Sequence, residues 1–297
     1  MAASDDPLRK LDQNESLRLG NIVGAMDQVM TQPILYWKNS FQQGLPFTMN
    51  PRLLYRGTLA SVGSMSLTTG VQSTASGMSQ KLLTGGSDSR MTYSQEVLAG
   101  FLGGMASGPV NGFMELIMIQ QQRFGGSFLG TPVRLAQTYG VRSLTRGWLL
   151  TSGREGCYCA GYLGTVPATQ KLLSEQYGVD PVYGKLLGAM GGGLLCAFLS
   201  QPLDTAKTCM QGDVGREKFG SFTQTLQTLK KDYGSVSAFY RGYWWRAGYI
   251  VVEFLLLDAL LKGLAPVLFP QKCGKMAVAV TPCNAEESAP AVPIPVA

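Results

Sequence analysis

One unit occurs three times along this sequence. Pro33, Pro109 and Pro202 are each followed, 24, 38 and 40 residues on, by the glycine of an Arg-Gly pair: Gly57, Gly147 and Gly242. A recurring register of this kind marks tandem supersecondary units rather than one irregular domain. Each unit reads as a long helix containing proline, a polar connection, then Arg-Gly and a second helix. Proline within a helical pattern removes one backbone hydrogen bond and kinks the helix. Gly100, Gly104 and Gly108 precede Pro109, Gly184, Gly188 and Gly192 precede Pro202, and Gly20 and Gly24 precede Pro33. Glycines four residues apart form a flat strip on which a neighbouring helix can lie closely.

Composition says what surrounds these helices. Charged residues are 15% of the 297, against roughly 25% in ordinary soluble proteins. Six apolar segments, 17–43, 58–83, 93–123, 148–173, 183–211 and from Tyr240-Arg241-Gly242 to about 268, are each long enough for the roughly 20 residues of a bilayer span, with excess for tilt. Mean hydropathy is only +0.07, so each span must carry a polar face. The fold expected is all-α: six tilted transmembrane helices in three tandem helix pairs with pseudo-threefold symmetry. The repeats cover 17–83, 93–173 and 183–268, between a polar segment 1–16 and a proline- and alanine-rich tail 269–297 that reads as extended or disordered. Phe222 to Tyr233 reads as a short amphipathic link helix, with another at about 132–139.

Charge orients the spans. The within-repeat links 43–56, 122–147 and 212–241 hold eleven basic residues against Asp213, Glu217 and Asp232. The opposite side, 1–16, 84–94 and 174–182, holds Arg9, Lys10 and Arg90 against seven acidic residues. The positive-inside rule places the links on the basic side and both termini on the other.

Several classes are excluded. The net charge of +6 is scattered, with no helix-turn-helix, zinc-finger or RNA-recognition pattern, so nucleic acid is not expected as a partner. There is no histidine, the commonest general base and metal ligand, and no nucleophile–base set, metal cluster or phosphate loop, which argues against an enzyme. The six cysteines have no paired framework and read as small buried hydrophobes in a reducing setting. Residues 1–16, with four acidic side chains and no apolar core, resemble neither a signal peptide nor a transit peptide.

Pro202-Leu-Asp204-Thr-Ala-Lys207, then Tyr240-Arg241-Gly242, resembles the mitochondrial carrier family, whose motif is Pro-x-acid-x-x-base, a link helix, then aromatic-base-Gly. The first repeat keeps Pro33, Lys38, Gln42, Tyr55, Arg56 and Gly57 but has Leu35 at the acidic position and a link too short for the usual helix. The second keeps Pro109, Arg146 and Gly147, with Asn111 and Met114 where charges belong. The resemblance implies a mitochondrial inner-membrane protein with its link helices on the matrix side and both termini toward the intermembrane space. It implies a matrix gate of Lys38, Gln42, Asp204, Lys207 and Gln211, in which one carboxylate serves both lysines or the end does not close by charge. Substrate contacts fall at Ser64, Arg154 with Glu155, and Tyr249, with Arg246 one turn earlier; Arg-Glu at this level is similar to carriers of amino-acid-like or carnitine-like zwitterions. The positions matching the opposite gate hold Gly77, Pro167 and Lys262, only the last of them charged. The resemblance further implies bound cardiolipin at Arg56-Gly57, Arg146-Gly147 and Arg241-Gly242, where helix N-termini offer free N–H groups, and no other cofactor.

Two functions follow. One is transport of a small polar solute by alternating access. The other is a carrier-fold protein that no longer transports and serves as a structural or assembly subunit of an inner-membrane complex. The missing gate charges, short first link and long tail favour the second; a site near the midplane between repeats favours the first.

Overall fold

The proline of each repeat lies inside a long helix. The computed structural model describes residues 12–83 and 92–273, and in it α1 (Gln13–Gln43) contains Pro33 and ends at Gly44, in the left-handed region at φ 72°. A four-residue turn, α2 (Pro51–Leu54), is all the helix the first link holds, as its length predicts, and α3 (Thr58–Leu83) completes the pair. The second pair is α4 (Tyr93–Phe124), with Pro109, and α6 (Trp148–Tyr177), joined through α5 (Gly130–Tyr139). The third is α7 (Pro181–Gly212), with Pro202, and α9 (Tyr243–Leu268), joined through α8 (Phe222–Tyr233). One further turn, α10 (Pro270–Cys273), opens the tail, so its first residues are helical rather than extended. The rest of the tail, the segment before Asp12 and most of the 84–92 link lie outside the described residues.

Burial is inverted relative to a water-soluble bundle. On α1, Asp27, Gln28, Thr31, Gln32, Lys38 and Asn39 are buried while Ile22, Met26, Val29 and Met30 are exposed. The exposed set recurs at helical spacing on α4 (Leu98, Leu102, Met105) and α7 (Leu187, Leu195, Leu199). Apolar faces turned outward around a polar interior suit a lipid surround. The polar faces also explain why only Leu186–Gly212, among the described residues, is apolar enough by composition alone to cross a membrane.

Glycine sets the closest helix approach. Cβ atoms on Gly104, Gly108 and Gly112 of α4 would fall 2.5 Å from the Glu155 carbonyl oxygen, 2.4 Å from Ser152 Cα and 3.1 Å from Trp148 Cα of α6. The strip in use is therefore shifted one turn from the expected one, and Gly100 lines the interior cavity instead. Gly20 and Gly24 make no such contact; a Cβ on Gly20 meets nothing within 4 Å.

The repeats are stitched by their glutamines. Gln32 and Gln201, each just before the helix proline, donate to the carbonyls of Arg56 and Arg241 at 3.1 and 2.9 Å. The third link is pinned by Asp213, whose carboxylate accepts from the backbone N–H groups of Glu217, Lys218 and Phe219 at 3.2, 2.8 and 2.7 Å. Burial opposes ionisation of Asp213, but these donors and nearby Arg146 outweigh it and hold the carboxyl below its usual range.

Candidate functional site

A cavity of about 780 Å³ runs between the long helices. On α3 its wall is Ser61, Ser64, Thr68, Gln72, Ser76 and Gln80, one polar side chain per turn. At 1.5 Å per residue that stripe extends about 28 Å, close to the thickness of a hydrocarbon core. All five expected contact residues, Ser64, Arg154, Glu155, Arg246 and Tyr249, line this cavity.

At the end nearest the proline motifs, ion pairs close it. Fully buried Asp204 accepts from Lys38 at 2.8 Å, Lys207 at 3.3 Å, Arg154 at 3.1 Å and the Gln42 amide at 2.8 Å. One carboxylate thus serves both gate lysines. The sequence motif did not reveal Glu115 on α4, which meets Lys207 at 2.9 Å and Arg154 at 3.1 Å. Glu115 lies one residue past Met114, the position the family motif reserves for a cation. Arg154 also bonds Glu155, whose carboxylate is further held by Asn111 at 2.8 Å and Gln72 at 3.1 Å. Lys38, Lys207 and Arg154 are therefore matched by Asp204, Glu115 and Glu155. Charges this deep persist only when paired and hydrogen-bonded in this way.

Other expected residues take further or different partners. Arg154 and Glu155 line the cavity and pair with each other, and Arg154 also joins the closing network through Glu115 and Asp204. Gln211 does not touch the charges; it donates to the Gly112 and Arg146 carbonyls at 3.0 and 3.2 Å, because its side chain is turned toward the start of α6. Arg146 is buried and donates to the carbonyls of Met210 and Phe219, and Arg241 donates to Phe41 and stacks 3.9 Å above the Tyr233 ring. Both guanidiniums are thus engaged by protein carbonyls, and Arg241 by a ring as well.

Farther from the gate, α9 presents Arg246, Tyr249 and Glu253 to the cavity. Arg246 bonds only neutral acceptors, the Ala197 carbonyl at 3.3 Å, Gln201 at 3.2 Å and Ser200 at 3.1 Å. Tyr249 accepts from Gln28 at 3.0 Å and donates to Glu253 at 3.2 Å. Ser64 is bonded to Asn111 at 2.5 Å. No group of three or more His, Cys, Asp or Glu that could hold a metal is found among the described residues.

Comparison with known proteins agrees with this geometry. Residues 178–265 match the family model described as mitochondrial carrier protein. The chain is 24% identical over 293 residues to a tricarboxylate transporter of Gibberella moniliformis, covering 89% of this chain and 93% of that one. It is 28% identical over 137 residues to mitochondrial citrate transporter B of Aspergillus niger, 44% and 43% of the two chains. It is 24% identical over 217 residues to the mitochondrial carnitine carrier of Saccharomyces cerevisiae, 67% and 64% of the two. All three are named as transporters or carriers, none as an enzyme.

Proposed function

We infer that this chain is a divergent member of the mitochondrial carrier family, that its work is solute transport at the mitochondrial inner membrane, and that its solute is a small zwitterion. The observation that carries this is the pair Arg246 and Glu253. They are seven residues apart on α9, about 10 Å along the helix axis, and neither forms an ion pair among the described residues. Every other cation on the cavity wall is already matched by a carboxylate. A solute carboxylate is drawn to Arg246 and its cationic group to Glu253, with Tyr249 and Ser64 between them as polar neighbours. The carnitine carrier among the relatives agrees with an amino-acid-like or carnitine-like solute. A tri-anion, as the tricarboxylate and citrate relatives suggest, finds Arg246 alone without a carboxylate partner.

Alternating access follows from a polar cavity closed at one end by ion pairs that break together. The gate end faces the matrix and both termini face the intermembrane space, by the distribution of basic links. Cardiolipin sits at the starts of α3, α6 and α9, held by backbone N–H groups near Gly57, Gly147 and Gly242 rather than by Arg146 or Arg241.

Uptake by purified protein in liposomes tests the reading, with carnitine, neutral amino acids and citrate as probes. Accumulation of carnitine or an amino acid, but not citrate, is expected. Uptake of citrate alone replaces the zwitterion with a tri-anion. No uptake of any probe, with migration in a large complex on a native gel, replaces transport with the structural-subunit role.

A further inference from the structure

Asp27 is a carboxylic acid with nothing to hold its charge. It is wholly buried on α1, and neither carboxyl oxygen lies within hydrogen-bond distance of a donor. The adjacent Gln28 donates to Tyr249 of α9 at 3.0 Å and Tyr249 donates to Glu253 at 3.2 Å, which sets this turn of α1 beside Glu253, and Asp27 acts electrostatically on both α9 groups. Glu253 reaches the cavity; Asp27 does not.

No cation among the described side chains bonds Asp27; Arg18 of α1 and Lys262 of α9 are each nine residues along their helices from Asp27 and Glu253. α3, which packs on α1, has Lys81 as its only titratable residue, at its far end. From α7 and α4, Asp204, Lys207 and Glu115 lie at the gate, already paired with one another and with Lys38 of α1 itself. On α9, Arg246 is two turns below Glu253 and bonded to Ser200, Gln201 and the Ala197 carbonyl. Across the cavity on α6, Glu155 adds negative charge and Tyr158 is neutral in its ordinary state. A fully buried carboxyl without a donor, set beside a second carboxyl and without a cation, is costly to keep ionised together with its neighbour.

We propose that Asp27 and Glu253 form a shared proton-binding site in the cavity wall, with Asp27 storing the proton and Glu253 facing the cavity. Asp27 is sealed from any solute larger than a proton, which separates this role from solute contact. Proton loading takes the pair from two negative charges to one and so sets the charge that the cavity presents at Glu253. The site does not depend on which solute is carried, and its test needs none.

Infrared difference spectra of the full chain in liposomes, taken between acid and alkaline pH, read the carbonyl stretch of a protonated carboxyl directly. The wild type is expected to show such a band at neutral pH, and the pair to titrate in two coupled steps between acid and alkaline pH, the second proton leaving above neutrality. Asp27→Asn should lose the band, and Glu253→Gln should collapse the two steps into one. Glu155→Gln, outside the pair, should leave the two-step titration in place. In the same samples, Asp27→Asn should melt above the wild type at alkaline pH, whereas an ordinary structural role predicts a lower melting point. Absence of a protonated-carboxyl band in the wild type, its persistence in Asp27→Asn, or a two-step titration in Glu253→Gln overturns the proposal. If Asp27→Asn does not fold, the Glu253→Gln titration decides alone.

Discussion

Gly242, at the start of the last long helix, rests on Gln42 of the first: a Cβ on Gly242 would lie 2.9 Å from Gln42 Cγ and 3.3 Å from the Lys38 carbonyl oxygen. Equivalent contacts follow around the molecule. Gly57 meets Met118 and Gly147 meets Gln211, each partner nine residues past its helix proline. Each Arg-Gly glycine thus seats on the next repeat, and the third repeat seats on the first. All three have positive φ, at 85°, 78° and 76°, so a side chain there meets backbone strain as well as a neighbour.

Alanine at these glycines should therefore destabilise in a graded way. Gly57→Ala is expected to be worst, because its Cβ would also fall 3.1 Å from the Met118 Cα and carbonyl oxygen, which cannot move aside as a flexible side chain can. Strain plus overpacking suggests about 2–4 kcal/mol there, and less at Gly147. Thermal unfolding of the three variants in detergent checks the order; equal losses would contradict it.

Asp204→Ala should be more damaging than loss of any one cation around it. It strands Lys38 and removes a partner of Lys207 and Arg154 in a dry interior, where breaking a buried pair costs about 3–5 kcal/mol. Lys38→Met removes one charge and leaves Asp204 two cations, so its melting point should fall less. A smaller fall for Asp204→Ala than for Lys38→Met would contradict the shared-carboxylate arrangement.

Arg154 and Arg246 should separate in a ligand assay. A bound solute raises the melting temperature by stabilising the folded state. Arg154→Ala should lower the baseline melting point because it opens a network with three carboxylates. Arg246→Ala should abolish the shift produced by carnitine or an amino acid. A shift that survives Arg246→Ala removes that residue from the solute site.

The third link should loosen in acid. The Asp213 carboxyl is held below its ordinary value, so its contribution to the 213–219 turn is complete above the unfolded value of 3.8 and is lost as pH falls through the lower folded value. Hydrogen exchange at Lys218 and Phe219 should accelerate below about pH 4 in the wild type, and Asp213→Asn should show faster exchange already at neutral pH. Unchanged exchange in both cases would mean that the carboxylate does not pin the turn.

The architecture was legible because its signals are local and repeated. Pro109, Arg146-Gly147 and the glycines between them state where helices bend, start and touch, and the predicted 58–83 and 222–233 helices match α3 and α8 residue for residue. The gate was only half legible. A motif assigns roles by position, and at its second copy it points to Asn111 and Met114, hiding the carboxylate one residue on. Glu115 carried a different signal: an ionised side chain in the middle of a span requires a partner, whatever its register. The same rule singles out Asp27 and Glu253, which no motif position names. Arg146 shows the converse, a motif residue whose side chain is consumed by backbone carbonyls that only the folded third link supplies.

The three cations on Asp204 come from three different repeats: Lys38 from the first, Arg154 from the second and Lys207 from the third. A ring of three separate pairs can be undone one joint at a time. A single pin through three hinges frees the first repeat outright when it is withdrawn, and leaves the second and third joined through Glu115 and Lys207. In this molecule the closed end is held chiefly at one carboxylate that all three repeats share, with Glu115 as a second tie between two of them.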